Sequence, residues 1–277
     1  VSASLGRRAL AEAVGSAALV AVVVGSGIQA TELSQDGGVR LLANSLATVF
    51  GLGVLITLLG PVSGAHFNPV VTLAAWFDGR SRGDGRSRGD GRSRGDGLSG
   101  RDVAAYLSAQ SAGAIGGAIL ADAMFAEPLV RWSTQDRTSG HLWLGELVAT
   151  AGLVLLVFGL GRTGRSHLAP VAVASYIGAA YWFTSSTSFA NPAVTVGRAV
   201  TDTFAGIAPA SVGPFVAAQL IGAALGLGLV RAVFGRPSPA RTAAVPLRGE
   251  PAAVPSQGEP GTVPLRGESE PAASPLP

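Results

Sequence analysis

Apolar residues run along this chain in long blocks, without the strict alternation of a strand or the heptads of a coiled coil. Six blocks stand out, at about 9–30, 41–60, 103–125, 142–160, 168–187 and 210–234. Stretches such as LVAVVVGSGIQA and LVATAGLVLLVFGL carry no charge at all. The hydrocarbon core of a bilayer takes roughly 20 helical residues to cross, and a backbone inside it must satisfy its own hydrogen bonds. The blocks therefore predict six transmembrane helices; the first has the length of a span, not of a cleaved signal peptide. Two further apolar pieces, at about 68–77 and 191–200, are too short to cross, and each opens on Asn-Pro. They predict half-helices that enter from opposite faces.

The chain repeats itself. LAEAVGSAALVAVVVGSG in the first block parallels LGELVATAGLVLLVFGLG in the fourth, which sets Glu12 against Glu146. YLSAQSAGAIGGAIL in the third parallels FVAAQLIGAALGLGL in the sixth, which sets Gln110 against Gln219. Asn68 and Asn191 then fall at matching places. Three spans per half is an odd number, so the second half lies upside down, the inverted-repeat plan of many transport proteins. The expected fold class is an all-α membrane protein with six transmembrane helices plus two re-entrant half-helices in inverted repeats. The expected channel domain covers 1–236, with halves at about 5–125 and 140–235.

Composition agrees with this pattern. Only 13% of the 277 residues are charged, against about a quarter in a soluble domain, and the mean hydropathy is +0.41. Charges collect outside the blocks. Arg7, Arg8, Arg162, Arg165, Arg231, Arg236 and seven arginines between 80 and 101 share one side if six spans are correct. The positive-inside rule then makes both termini cytoplasmic. That placement accounts for a pI near 10.1 without nucleic acid as a partner. Residues 79–97 hold three GRSRGD copies. They read as a flexible cytoplasmic loop, the alternative being a contact with anionic lipid headgroups. The tail, 237–277, is rich in Pro and Glu and is expected to be disordered.

The chemistry is sparse. There is no cysteine, and the histidines His66, His141 and His167 are too scattered for a metal motif. No constellation of nucleophile, base and orienter appears, so no enzyme, cofactor or metal is expected. The two Asn-Pro motifs remain, AHFNPVVTLA and SFANPAVTVGR. Pro suits the first position of a helix and Asn suits its N-cap, so one copy would be a weak signal. Two copies in inverted halves bring two helix N-termini together near the midplane. Each Asn amide can donate to a passing solute oxygen, and the partial positive charge there repels cations. The site suits small neutral hydroxylated molecules.

Over residues 5–235 the chain resembles the major intrinsic proteins, the aquaporins and aquaglyceroporins. The resemblance rests on SGAHFNPVVTLA, NPAVTVGR and the paired Glu12, Glu146, Gln110 and Gln219. It implies a homotetramer with one pore per subunit, pore asparagines Asn68 and Asn191 followed by Pro69-Val70 and Pro192-Ala193, and structural glutamates Glu12 and Glu146 that accept backbone N–H groups from the re-entrant loops. It also makes His66 a packing residue.

Two departures carry more information. Val70 replaces the usual Ala and adds bulk beside the constriction. Val194 replaces the Arg that forms one wall of the family's selectivity filter. The remaining filter positions align to Thr48, to Tyr181 or Ala179, and to Ser188 or Phe189; the preferred set is Thr48, Tyr181, Ser188 and Val194. That set carries no charge and at most one aromatic ring, and it predicts a pore wider than an orthodox water channel. NPAVTVGRAVTDTFAGIAPA also resembles a bacterial subgroup associated with arsenic-resistance genes. The expected solute is arsenite as As(OH)3 and similar polyhydroxylated molecules, with water. An ordinary glycerol or water channel is the alternative, and a gradient-driven transporter is the less favoured one. Arg198, one helical turn beyond Val194, either places a cation in the vestibule or makes a loop or headgroup contact.

Overall fold

The computed structural model describes residues 3–81 and 97–235, all within the first of two units, Val1–Pro239. The expectations for the GRSRGD repeats and the C-terminal tail fall almost wholly outside these residues.

The described chain is helical. The elements are α1 (Leu5–Leu33), α2 (Gly37–Ser63), α3 (Pro69–Ser81), α4 (Gly100–Met124), α5 (Gly140–Arg162), α6 (Ala169–Phe183), α7 (Pro192–Gly197) and α8 (Pro209–Phe234), with 3-10 turns at Ser166–Leu168 and Arg198–Val200. Helix starts follow local chemistry. Ser4 caps α1, Asp36 caps α2, and Ser99 with Asp102 forms a reciprocal capping box on α4, each satisfying amides that have no partner within the helix. The half-helices α3 and α7 begin at the proline of each Asn-Pro pair.

Five helices, α1, α2, α4, α5 and α8, are long and apolar enough to cross a membrane. The block at 168–187 differs from expectation. Its helix α6 has 15 residues, about 22 Å at 1.5 Å per residue. It is fixed at its start by Pro170 and stopped at its end by Thr184, whose backbone is extended and whose hydroxyl bonds back to Ala180 O.

Two helix pairs, α1 with α4 and α5 with α8, form the heart of the two halves. Both crossings are made by glycine. A Cβ on Gly113 or Gly117 would run into the carbonyls of Ala13 and Ala17, and one on Gly222 or Gly226 into those of Leu147 and Ala151. Small residues four apart let backbones approach this closely, which is how helices associate where lipid removes the hydrophobic drive. The crossings leave the re-entrant loops before α3 and α7 to meet between the halves. Outside, α2 presents Val39, Leu42, Leu46, Phe50, Val54 and Leu58 as an exposed apolar stripe.

Candidate functional site

The loops that lead into α3 and α7 are strained in the same way. Ala65 and Phe67 have φ of 48° each, and Ser188 and Ala190 have φ of 51° and 47°. Non-glycine residues persist in this region only where their surroundings hold them. The holding group is a buried carboxylate in each half. Glu12 Oε1 accepts His66 N at 3.0 Å and Oε2 accepts Phe67 N at 2.7 Å. Glu146 accepts Phe189 N and Ala190 N, both at 2.8 Å. Each carboxylate is itself tied to a glutamine, Glu12 to Gln110 at 2.7 Å and Glu146 to Gln219 at 2.6 Å. The same amide groups then reach Thr72 at 3.0 Å and Thr195 at 2.9 Å, the threonines four residues after each motif asparagine. Both threonines belong to the repeated motif in the sequence, NPVVT and NPAVT; the structure adds their bonds to the glutamines.

The asparagines meet across the junction of the halves. Asn68 Nδ2 donates to Ala190 O at 2.8 Å, and Asn191 Nδ2 donates to Phe67 O at 2.7 Å. Their Oδ1 atoms face the other way and cap the half-helices, Asn68 accepting Val70 N and Asn191 accepting Ala193 N and Val194 N. Each side-chain amide thus keeps one N–H without an acceptor among the described residues, and both asparagines line one cavity of about 430 Å3.

That cavity runs from Gly161 and Ser166 at one end, past Asn68 and Asn191, to Thr48, Tyr181, Ser188, Phe189, Val194 and Arg198 at the other. Most of its wall is apolar, with Thr48, His66, Asn68, Ser166, Tyr181, Ser188, Asn191 and Arg198 as the polar exceptions. Thr48 Oγ1 and Tyr181 Oη lie 3.2 Å apart. Ser188 Oγ is buried without a partner among the described residues. Tyr181 faces the cavity while Ala179 is exposed, and Ser188 and Phe189 both line it. His66 packs edge-on against Tyr106 with Nδ1 3.0 Å from Thr72 Oγ1, and it also borders the cavity.

One expectation needs correction, and one alternative falls away. Val70 does not stand beside the constriction. It is fully buried in a separate cluster with Ala74, Val154 and Leu227, because the first turn of α3 directs it toward α5 and α8. For Arg198 only the headgroup option fails; the loop contact and the place on the cavity are both found. Arg198 is only 4% exposed, its Nε donates to Ala205 O, and it lines the cavity. Among the described residues no group of three or more His, Cys, Asp and Glu side chains could hold a metal.

Comparison with known proteins follows the same lines. The family profile described as major intrinsic protein matches residues 1–82. The aquaglyceroporin AqpS of Rhizobium meliloti is 48% identical, over 82% of this chain and 90% of that protein. The glycerol uptake facilitator protein of Pseudomonas aeruginosa is 30% identical, over 87% of this chain and 93% of its own length. The X-ray structure of the aquaglyceroporin from Plasmodium falciparum superposes with a TM-score of 0.59 at 18% identity, covering 83% of this chain and 97% of that one. At that identity the superposition establishes the shared fold.

Proposed function

The chain belongs to the major intrinsic protein family, and from that premise we propose that it is a passive membrane channel for small neutral solutes, above all arsenite as As(OH)3, with glycerol-like molecules and water. The observation that carries the reading is the pair Asn68 and Asn191 on one continuous cavity. Each spends one amide proton on the opposite loop and keeps the other for the cavity. Two fixed donors midway along a mixed apolar and polar path replace part of the hydration shell of a hydroxylated solute, but they hold it too weakly to trap it.

The ring of Thr48, Tyr181, Ser188 and Val194 is the selectivity filter in this reading. Its walls carry short side chains and hydroxyls and no charge. As(OH)3 is neutral at pH 7 and compact, and its three hydroxyls can meet the open Ser188 Oγ and the Thr48–Tyr181 pair. Glycerol as the main solute is the second reading, favoured by the 30% identity to a protein named as a glycerol uptake facilitator. Gradient coupling finds less support. Glu12 and Glu146 are both fully buried and saturated by backbone and side-chain donors, so neither is free to pick up an ion.

The same reading makes the chain an integral protein of a bacterial cytoplasmic membrane with both termini cytoplasmic. The apolar stripe on α2 suits lipid or the neighbouring copy of a homotetramer. The test is stopped-flow light scattering on proteoliposomes, with water, glycerol and As(OH)3 run side by side. As(OH)3 and glycerol permeabilities well above those of protein-free vesicles, insensitive to pH and sodium gradients, are expected. Flux that requires a gradient would replace the channel by a transporter.

A further inference from the structure

Val194 leaves the filter ring without a cation, yet a cation stands close by. Arg198 lies four residues further on, one helical turn and on the same side. Its backbone is pinned from several directions. Arg198 O accepts Ile207 N at 3.2 Å, and the neighbouring carbonyls of Ala199 and Val200 accept Ser133 N at 3.0 Å and Arg131 N at 2.9 Å. The guanidinium is stacked as well as bonded. Its carbon lies 3.5 Å from the centroid of Phe189, while Nε donates to Ala205 O. Phe189 is fixed in turn, by the Glu146 carboxylate at its N–H and by an edge contact with Phe215 at 5.3 Å. Arg137 places a second guanidinium 5.0 Å from the same ring.

The arrangement leaves most of the Arg198 head group unused. A guanidinium offers five N–H donors. Only Nε–H has an acceptor among the described residues, and none of the ion pairs among them includes Arg198. A side chain that is 4% exposed and pairs with no carboxylate is ordinarily costly. Stacking on an aromatic face offsets part of that cost. The rest points to the cavity, which Arg198 lines together with the unpartnered hydroxyl of Ser188.

We propose that Arg198 is the selectivity-determining cation of this channel, displaced one turn outward from the uncharged ring of Thr48, Tyr181, Ser188 and Val194. Its free N–H groups receive the oxygens of neutral solutes at the mouth, and its charge turns cations away. The displacement separates two jobs. The ring sets width, and Arg198 sets charge without narrowing the ring. This rests on the channel reading above, and the test keeps the two apart.

The chain contains no cysteine, so Val194→Cys introduces a single thiol behind Arg198. Two methanethiosulfonates of similar size, one carrying a sulfonate and one a trimethylammonium, are applied to each side of the membrane in turn. Rates are normalised to those with a free small-molecule thiol. From the Arg198 side the anionic reagent is expected to react about tenfold faster or more, the range in which local charge focuses small ions. Adding Arg198→Gln should reduce that preference below about threefold, and adding Arg198→Lys should retain it. The preference in Val194→Cys alone carries the test if the glutamine variant does not fold. Equal rates for the two reagents, an unchanged preference in a folded Arg198→Gln variant, or no reaction from either side would overturn the proposal. Glycerol flux through the unsubstituted protein is measured alongside. Its absence sinks the channel reading, whereas normal flux without a charge preference sinks only the role of Arg198.

Discussion

Glu12 and Glu146 are each other's counterparts across the inverted halves. Each buried carboxylate accepts two successive loop amides and one glutamine side chain, His66, Phe67 and Gln110 on one side and Phe189, Ala190 and Gln219 on the other. Both loops therefore hold their strained backbone by the same device. Glu146→Gln replaces an acceptor oxygen by an NH2 that faces N–H donors. A charge-assisted bond contributes about 1.5–3 kcal/mol, and the buried donors left over add to the loss. The variant should lose about 3 kcal/mol or more of stability, seen as a fall in the melting temperature of the detergent-solubilised protein, and most of its solute flux. Glu12→Gln should behave alike. A normal melting temperature for both would mean that the loops are held by something else.

Asn68→Asp and Asn191→Asp test the junction. Each removes the donor to Ala190 O or Phe67 O and sets a carboxylate against a carbonyl oxygen at 2.7–2.8 Å. Neutral-solute flux should fall about fivefold or more in each variant, roughly 1 kcal/mol on the barrier, with a small cation leak as the path acquires negative charge. Full flux in both would place the solute path away from these residues. The measurement is glycerol permeability in proteoliposomes at matched protein content.

The glycine crossings test the assembly of the halves independently of the cavity. Gly113→Val and Gly222→Val each push a branched side chain into a facing backbone carbonyl, of Ala13 and of Leu147. Overpacking of this kind costs about 1–3 kcal/mol where side chains can yield, and a backbone carbonyl yields less. Both variants should give little monodisperse protein on size exclusion. Gly116→Val, at a position with open space around an added Cβ, should express normally.

Much of this was legible in the sequence because the inverted repeat states it twice. Glu12 with Glu146, Gln110 with Gln219 and the two Asn-Pro pairs were found as matched residues, and the structure shows each set making matched bonds. What could not be read has physical reasons. The destination of Val70 depends on which side of α3 faces α5 and α8, and the first nine residues of that half-helix, apolar but for Thr72, give little clue to that. For Arg198 the sequence left a vestibule position, a loop contact and a headgroup contact open, and the choice among them depends on a loop carbonyl, Ala205 O, and on the face of Phe189, both set by tertiary folding. The end of α6 falls at a run of hydroxyl residues, Thr-Ser-Ser-Thr-Ser at 184–188, which carries no charge and so sits inside the expected block at 168–187, although Thr184 bonding back to Ala180 O already ends the helix. The glycines four apart were present in GAIGG and IGAALG, but only the crossing geometry distinguishes them from the chain's other glycines.

An uncharged ring with Val194 in its wall should pass neutral solutes larger than water. Val194→Arg tests it most directly. The substitution adds several heavy atoms and a guanidinium to a position that lines the cavity, and it places two arginines four residues apart on one side of the path. The protein should still insert, since an Arg costs on the order of 2.5–3.5 kcal/mol even at a bilayer centre on insertion scales and this position borders a cavity. In stopped-flow measurements at equal protein per vesicle, As(OH)3 and glycerol permeabilities should fall about tenfold or more, roughly 1.4 kcal/mol on the barrier, while water permeability falls less than about threefold. Val194→Ala should keep or raise the flux of the larger solutes. As(OH)3 passing through Val194→Arg as fast as through the unsubstituted protein would mean that Val194 does not stand at the constriction.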